Sequence, residues 1–186
     1  MATGLQNKLT GAIGEFLVAA ELCRRGFLAT PFAGNVPHYD IIASGQRGGY
    51  LAIQVKAING STWQFDVRRF LKVSRKGRRQ IPVGVEREPY PGLVCVLVAL
   101  SKSGSDRFFI LTWRELRRIV ARGYRRYLRK HGGIRPKAPG SFHTALSIDA
   151  LKPFEGRWKL LSRYVRKMPY KGLQPAEARE KMSRLS

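Results

Sequence analysis

Two short runs decide how this chain folds: His38-Tyr-Asp-Ile-Ile-Ala43 and Tyr50-Leu-Ala-Ile-Gln-Val-Lys-Ala57. Both are rich in β-branched and aromatic residues, and each predicts a strand, with the Gly- and Arg-rich segment between them as the turn. In the second run Gln54 and Lys56 alternate with Ile53 and Val55, so the two polar side chains project from one face. With the two strands paired as a hairpin, Asp40, in the middle of the first run, faces Gln54 and Lys56 across the ladder.

Working outward, Phe27-Leu-Ala-Thr-Pro-Phe32 reads as a short strand leading into a loop. Before it, Leu5, Leu9, Ile13, Phe16 and Ala20 recur at steps of three and four, which predicts a helix from Gly4 to Arg25 with this stripe packed on the sheet. Gly26 stops that helix just after Arg24 and Arg25. Leu93–Leu100 is a continuous apolar run, expected to be a central buried strand, with Arg107–Leu111 as its hairpin partner. The turn between them, Ser101-Lys-Ser-Gly-Ser105, has neither the glycine spacing nor the following helix of a phosphate loop. Thr112 to Lys130 is the next helix, opened by a Thr112–Glu115 capping box. Its apolar stripe is Trp113, Leu116, Val120, Tyr124 and Tyr127. After His131-Gly-Gly the chain is loop-rich, with a short element at Ile148–Leu151, a last helix from Trp158, and a charged tail from Pro175. The expected organisation is one domain: a core over residues 1–130 with a basic insertion at 62–90, and a basic extension over 131–186 packed on it.

The 186 residues carry 35 Lys and Arg against 12 Asp and Glu, a net charge of +23, while 44% are hydrophobic. The apolar content suffices for a core and excludes a disordered chain. The charge excludes an ordinary neutral enzyme of small metabolites and calls for a polyanionic partner, nucleic acid first. Residues 1–66 hold five basic and four acidic residues, so nearly all the excess lies beyond them. A near-neutral third and a strongly basic remainder suggest two tasks, holding a cation and holding a polyanion. Within the insertion, Arg68, Arg69, Lys72, Arg75, Lys76, Arg78 and Arg79 share one sign, with no acid from 67 to 85. Such a block repels itself and is expected to form a nucleic-acid-binding arm. On the second helix Arg114, Arg118, Arg122, Arg125 and Arg129 form a stripe nearly opposite the apolar one, without acids at i,i+4, and are expected to face phosphates. Trp63, Phe65 and Tyr90 could stack on bases or pack in the core.

Cys23 and Cys95 are read as reduced core residues rather than a disulfide or zinc pair. His131 and His143 have no Cys or acid at zinc-ligand spacing. His38 adjoins Asp40 and is open either to a phosphate contact or to no role. No apolar run is long enough to span a bilayer, so a cytoplasmic, nucleic-acid-associated protein without a membrane partner is expected.

Gly11-Ala-Ile-Gly-Glu15-Phe-Leu-Val-Ala-Ala-Glu-Leu, Tyr39-Asp40-Ile-Ile and Ile53-Gln54-Val-Lys56 together resemble the PD-(D/E)XK nuclease superfamily over roughly residues 4–120. That resemblance implies an α/β fold, a restriction-endonuclease-like αβββαβ core with a mixed sheet flanked by helices, here with a basic C-terminal extension. It implies a metal-dependent DNA endonuclease, homing-type or junction-resolving, using Mg²⁺ or Mn²⁺. Glu15, Asp40 and Gln54 would hold the metal, with the Val55 carbonyl beside them, and Lys56 would complete the catalytic set. Gln46, Arg47 and the basic arm would grip the DNA backbone, and two-strand cutting implies a homodimer or higher oligomer. Two departures stand out: Gln54 where the pattern has Glu or Asp, and Tyr39 where it has Pro. They leave open an alternative, a non-catalytic RNA- or ribosome-associated nucleic-acid-binding protein on a nuclease-like core.

Overall fold

The structure is a computed structural model that describes residues 4–32, 38–45 and 49–167. Gln46, Arg47 and the tail from Pro175, named above, lie outside the described residues. Helix α1 (Gly4–Arg24) precedes strands β1 (Leu28–Pro31), β2 (Ile41–Ser44) and β3 (Tyr50–Ile58). The insertion follows as β4 (Thr62–Asp66), a 3-10 turn (Val67–Arg69), β5 (Leu71–Lys76) and β6 (Arg79–Val85). Then come β7 (Val94–Ala99), β8 (Arg107–Thr112), α2 (Trp113–Lys130), β9 (His143–Ser147), a 3-10 segment (Asp149–Phe154) and α3 (Lys159–Lys167).

Five strands in the order β1-β2-β3-β7-β8 form the central sheet. All its pairs are antiparallel except β3 with β7, which run parallel. The sheet is therefore mixed and flanked by helices on both faces, the α/β architecture that the resemblance implies. Every residue of β7 is buried, as its unbroken apolar run requires of a strand covered on both faces. Val94, Val96 and Val98 look toward Val18, Ala19 and Leu22 of α1 and toward Leu161 and Val165 of α3. Cys95, Leu97 and Ala99 look toward Trp113, Leu116, Val120 and Tyr124 of α2. The capping box at Thr112 and Glu115 is present in full. On α2 the buried stripe ends at Leu128, while Tyr127 is displaced outward and lies against His131.

Three expectations need correction. The insertion is neither a free arm nor a flexible loop: β4 pairs with β9, and β5 and β6 form a hairpin. Gln80 ties that hairpin down. Its amide oxygen accepts from the Tyr124 hydroxyl, and its nitrogen donates to the carbonyls of Pro139 and Ser141 at 2.7 and 3.1 Å. Gln80 is the buried polar side chain of the described core, and such a group persists only with its bonds satisfied. Second, the stripe Leu5, Leu9, Ile13 and Phe16 does not pack on the sheet but stands exposed on α1. The helix presents its smaller residues to the sheet instead (Gly14, Val18, Ala19, and Leu22 beyond), because they let its axis come closer. Third, Cys23 is exposed on that outer side, whereas Cys95 is in the core, where burial pushes its thiol up to about 12.

Gly14 sets the distance between α1 and β3. A Cβ placed there would sit 2.5 Å from the Ala57 Cβ, whereas one on Gly11 meets nothing within 4 Å. The usual gain from Gly→Ala inside a helix should therefore appear at one site and reverse at the other. We expect Gly11→Ala to raise stability by about 0.5–1 kcal/mol and Gly14→Ala to lower it by about 1–3 kcal/mol as α1 is pushed off the sheet. Thermal or urea unfolding of the two variants checks both signs.

Candidate active site and nucleic-acid interface

β2 and β3 pair from Ser44↔Tyr50 to Ile41↔Ile53, and there β2 ends while β3 runs on to Ile58. Asp40 stands at the parting, one residue before β2 and not within it as the apolar pattern suggested. Its backbone N–H still donates to the Ile53 carbonyl at 2.8 Å. The next donor of β3 on that side, Val55 N–H, has lost its strand partner, and the Asp40 carboxylate accepts from it at 2.6 Å. A backbone donor left without its ladder must find an acceptor, and this one draws a carboxylate into the plane of the sheet.

From that position the carboxylate is open to both faces. On the α1 face is Glu15, half-buried one residue after the Gly14 contact. Its carboxyl is raised above its ordinary value, by desolvation first and then by the charge of Asp40. On the other face are Lys56 and Arg69. Burial raises the Asp40 carboxyl, while the Val55 bond and then the charges of Arg69 and Lys56 oppose that shift. The Lys56 ammonium is depressed, by desolvation first and by Arg69 next, with Asp40 acting the other way. Gln54 is half-buried on β3, on the same face as Lys56 and one pair beyond the Ile41↔Ile53 register, hence opposite Asp40.

The insertion builds the floor beneath the lysine. Trp63, fully buried, donates its indole N–H to the Lys56 carbonyl at 2.8 Å. The Phe65 ring lies 5.6 Å from the Lys56 ammonium, backed edge-on by Phe70. Trp63 and Phe65 are therefore core and not stacking platforms, since their faces are spent on Lys56, Phe109 and Phe70. Tyr90 packs on Tyr39 and bonds the Tyr50 hydroxyl. Reading the sequence placed Arg69 among the backbone-gripping residues; its charge in fact acts on Asp40 and Lys56. The offset of 29 residues from Asp40 hid that, and only the pairing of β4 with β9 folds the 3-10 turn back over β3. His38 is exposed with φ 84°, in the left-handed region that a non-glycine residue seldom adopts. Alongside, an 880 Å³ cleft runs between α1 and β3, lined among others by Thr10, Gly11, Ile13, Val55, Lys56 and Gln64.

This donor set suits a hard divalent cation. Two carboxylates that repel one another and bind protons more tightly than usual gain from a cation between them, and Mg²⁺ typically takes one or two carboxylates with the rest water or substrate oxygen. Among the described residues no cluster of three His, Cys, Asp or Glu occurs. Any third protein ligand must be a neutral oxygen such as that of Gln54.

The basic residues divide into committed and free. Arg68 forks onto Asp66 and lies over the Phe142 ring, and Arg114 pairs with Glu88 at 3.2 Å, so the helix stripe does have one acid partner, from 26 residues upstream. Arg79 donates to the Gly132 carbonyl at 2.9 Å. Lys72, Arg75, Lys76 and Arg78 on the hairpin, and Arg118, Arg122, Arg125 and Arg129 on α2, are exposed and make no ion pair among the described residues. The arginine stripe and Val85 line a 340 Å³ groove beside the hairpin. Unpaired cations at this density favour a polyanion in the groove.

No family model matches the chain, and no curated protein matches it. Among solved structures it is similar to the bacterial homing endonuclease I-Ssp6803I, with 15% identity and a TM-score of 0.46, covering 84% of this chain and 93% of that one. It is also similar to the Holliday junction resolvase Hjc of Archaeoglobus fulgidus, with 15% identity and a TM-score of 0.38, covering 77% of this chain and 88% of that one. No helix among the described residues is long and apolar enough to cross a membrane.

A carboxyl whose pKa folding raises holds its proton more tightly in the folded state. Stability then grows as the pH falls through the raised value toward the unfolded one, and ionised Asp40 and Glu15 are unfavourable at neutral pH. Asp40→Asn removes one charge and keeps an oxygen for the Val55 N–H. We expect metal-free Asp40→Asn to melt above the wild type at neutral pH, with the difference closing as the pH is lowered, and Mg²⁺ to raise the melting temperature of the wild type alone. Thermal melts across mildly acidic to neutral pH, with and without metal, read both effects.

Proposed function

We propose that the protein is a metal-dependent endonuclease that hydrolyses phosphodiester bonds of DNA, in a homing-type or junction-resolving role. The observation that supports this most is the meeting of Glu15, Asp40, Lys56 and Arg69, two acids and two bases, where β2 leaves β3, in a molecule whose other cationic surface is largely unpaired. Glu15, Asp40 and Gln54, with the Val55 carbonyl beside them, are the residues that would hold Mg²⁺ or Mn²⁺. A divalent ion there supplies charge for the phosphate and lowers the pKa of a bound water. Asp40 is aimed by the Val55 N–H, which only partly offsets the burial that raises its carboxyl, so a bound cation would favour its ionised form. Lys56, seated over Phe65, presents its ammonium to a phosphate oxygen and stabilises the charge that develops as the bond breaks. Arg69 adds a second donor from the same side, and its positive charge offsets that of the incoming phosphate. The hairpin and α2 arginines hold the backbone of the nucleic acid away from the site, fixing its register without reading bases.

A second reading has one observation behind it. Gln54 brings no charge, so only two carboxylates meet at the parting of β2 and β3. A non-catalytic nucleic-acid-binding protein, RNA- or ribosome-associated, on the same core would also show the free arginines.

Incubating supercoiled, linear and four-way-junction DNA with Mg²⁺ or Mn²⁺ separates the two. The nuclease reading expects metal-dependent cutting that drops by about 100-fold or more in Asp40→Ala and Lys56→Ala, with DNA affinity little changed. Replacing Arg118, Arg122 and Arg125 by Ala should instead weaken binding and reduce the salt dependence by about one unit of slope per lost phosphate contact. Absence of cutting on DNA, together with tight salt-sensitive binding, would establish the binding-protein reading.

A further inference from the structure

The outer face of α1 lies apart from the charged residues of the site and from the basic surface, though Leu9 and Ile13 on it border the cleft. Leu5, Leu9, Ile13 and Phe16 are 68, 53, 48 and 67% exposed, at steps of four, four and three. Exposed Ala20 and Cys23 continue the same line. At about 100° per residue these positions fall within one narrow stripe opposite Gly14, Val18 and Leu22, and from Leu5 to Cys23 the stripe runs about 27 Å. Isolated surface leucines need no explanation, but a continuous apolar stripe on a helix marks an interface.

Charge says what covers it. The chain carries +23, yet α1 holds only Lys8, Glu15, Glu21 and Arg24, which cancel. A polyanion gains nothing from a neutral apolar stripe and would be drawn to the hairpin and α2 instead. Two copies of so basic a chain, by contrast, can approach only where neither presents excess charge, and α1 is such a face. Each copy brings the identical stripe, which a two-fold axis matches to itself.

We propose that α1 is the surface through which two copies of this chain associate, its apolar stripe packed against the same stripe of a second copy. Leu9 and Ile13 belong to this stripe and also line the cleft that holds Lys56. The second copy therefore borders the cleft, and the two sites lie to either side of one helix pair. The inference stands on the helix surface and needs neither metal nor activity, so it survives or fails apart from the nuclease reading.

Sedimentation of the full chain, freed of nucleic acid, tests it. Expected is a species of twice the 21.0 kDa chain mass whose formation strengthens as salt is raised, because salt screens the repulsion between copies and leaves apolar contact intact. Association bridged by nucleic acid would weaken with salt and would overturn the proposal. Leu9→Glu with Phe16→Glu should weaken association by about 100-fold or more with circular dichroism unchanged, since both residues are exposed in the single chain, and should abolish the rise of melting temperature with protein concentration. In a Cys23→Ser background, Ile13→Cys near the middle of the stripe should form a disulfide-linked dimer on mild oxidation, and Lys102→Cys in a surface turn should not. A wild type that stays monomeric at all concentrations overturns the proposal. Slow hydrogen exchange over residues 5–16 in that monomer would assign the stripe to the chain's own residues beyond 167. A dimer that persists in the double Glu variant overturns it as well, since the contact would then lie elsewhere.

Discussion

One unpaired backbone donor organises the candidate site. Where β2 stops and β3 continues, the Val55 N–H has no strand opposite it, and the Asp40 carboxylate fills the place of the missing carbonyl. Placing a negative charge in the plane of a sheet is costly unless cations or metal stand by. The structure supplies Lys56 and Arg69 on one face, while Glu15 on the other raises the demand for a cation. The same bond that completes the ladder thus creates the electrostatic tension that a divalent ion and a phosphate can relieve. Sites that store such tension are found where chemistry is done.

Each neighbour is held by packing at some distance from the charges. Glu15 reaches Asp40 because Gly14 lets α1 lie close against Ala57 and Val55. Lys56 is pinned through its carbonyl by Trp63 and through its ammonium by the Phe65 ring. Those aromatic residues come from the insertion, whose strand β4 is anchored by β9 from the far end of the sequence. The β-rich connection between the parallel strands β3 and β7 is thereby part of the site's floor, while α2, which follows β8, covers the rest of that face. The hairpin beyond it is fastened by Gln80 to Tyr124 and to the 139–141 carbonyls, which turns a self-repelling run of cations into a rigid basic surface.

The five strands of the central sheet, both long helices and the trio of Asp40, Gln54 and Lys56 were legible from local pattern, because strand alternation and helix caps are short-range effects, whereas β4, β5, β6 and β9 were not. β7 was legible as a central strand for the same reason: an apolar run without alternation must be covered twice. The role of Arg69 was not legible, since nothing near it in sequence distinguishes it from Arg68, which forks onto Asp66 instead. Nor was the acid partner of Arg114, because Glu88 arrives from another element. Helix α1 misled most. Its largest apolar residues form the cleaner stripe, yet the sheet took the face with Gly14 and Ala19, where close approach buries more backbone and β3 side chain than bulky residues would allow.

The sequence by itself determined the order of the central helices and strands, the charge that calls for a polyanion, and that Asp40, Gln54 and Lys56 belong to neighbouring strands, since these follow from periodicity, composition and local spacing, while its resemblance to a nuclease superfamily implied the class of fold. Tertiary structure alone decided which arginines are free, which one acts on Asp40 and Lys56, and which side of α1 meets the sheet. Those outcomes depend on contacts between segments tens of residues apart, where packing volume and the need to satisfy each buried polar group choose among faces that the local pattern leaves equivalent.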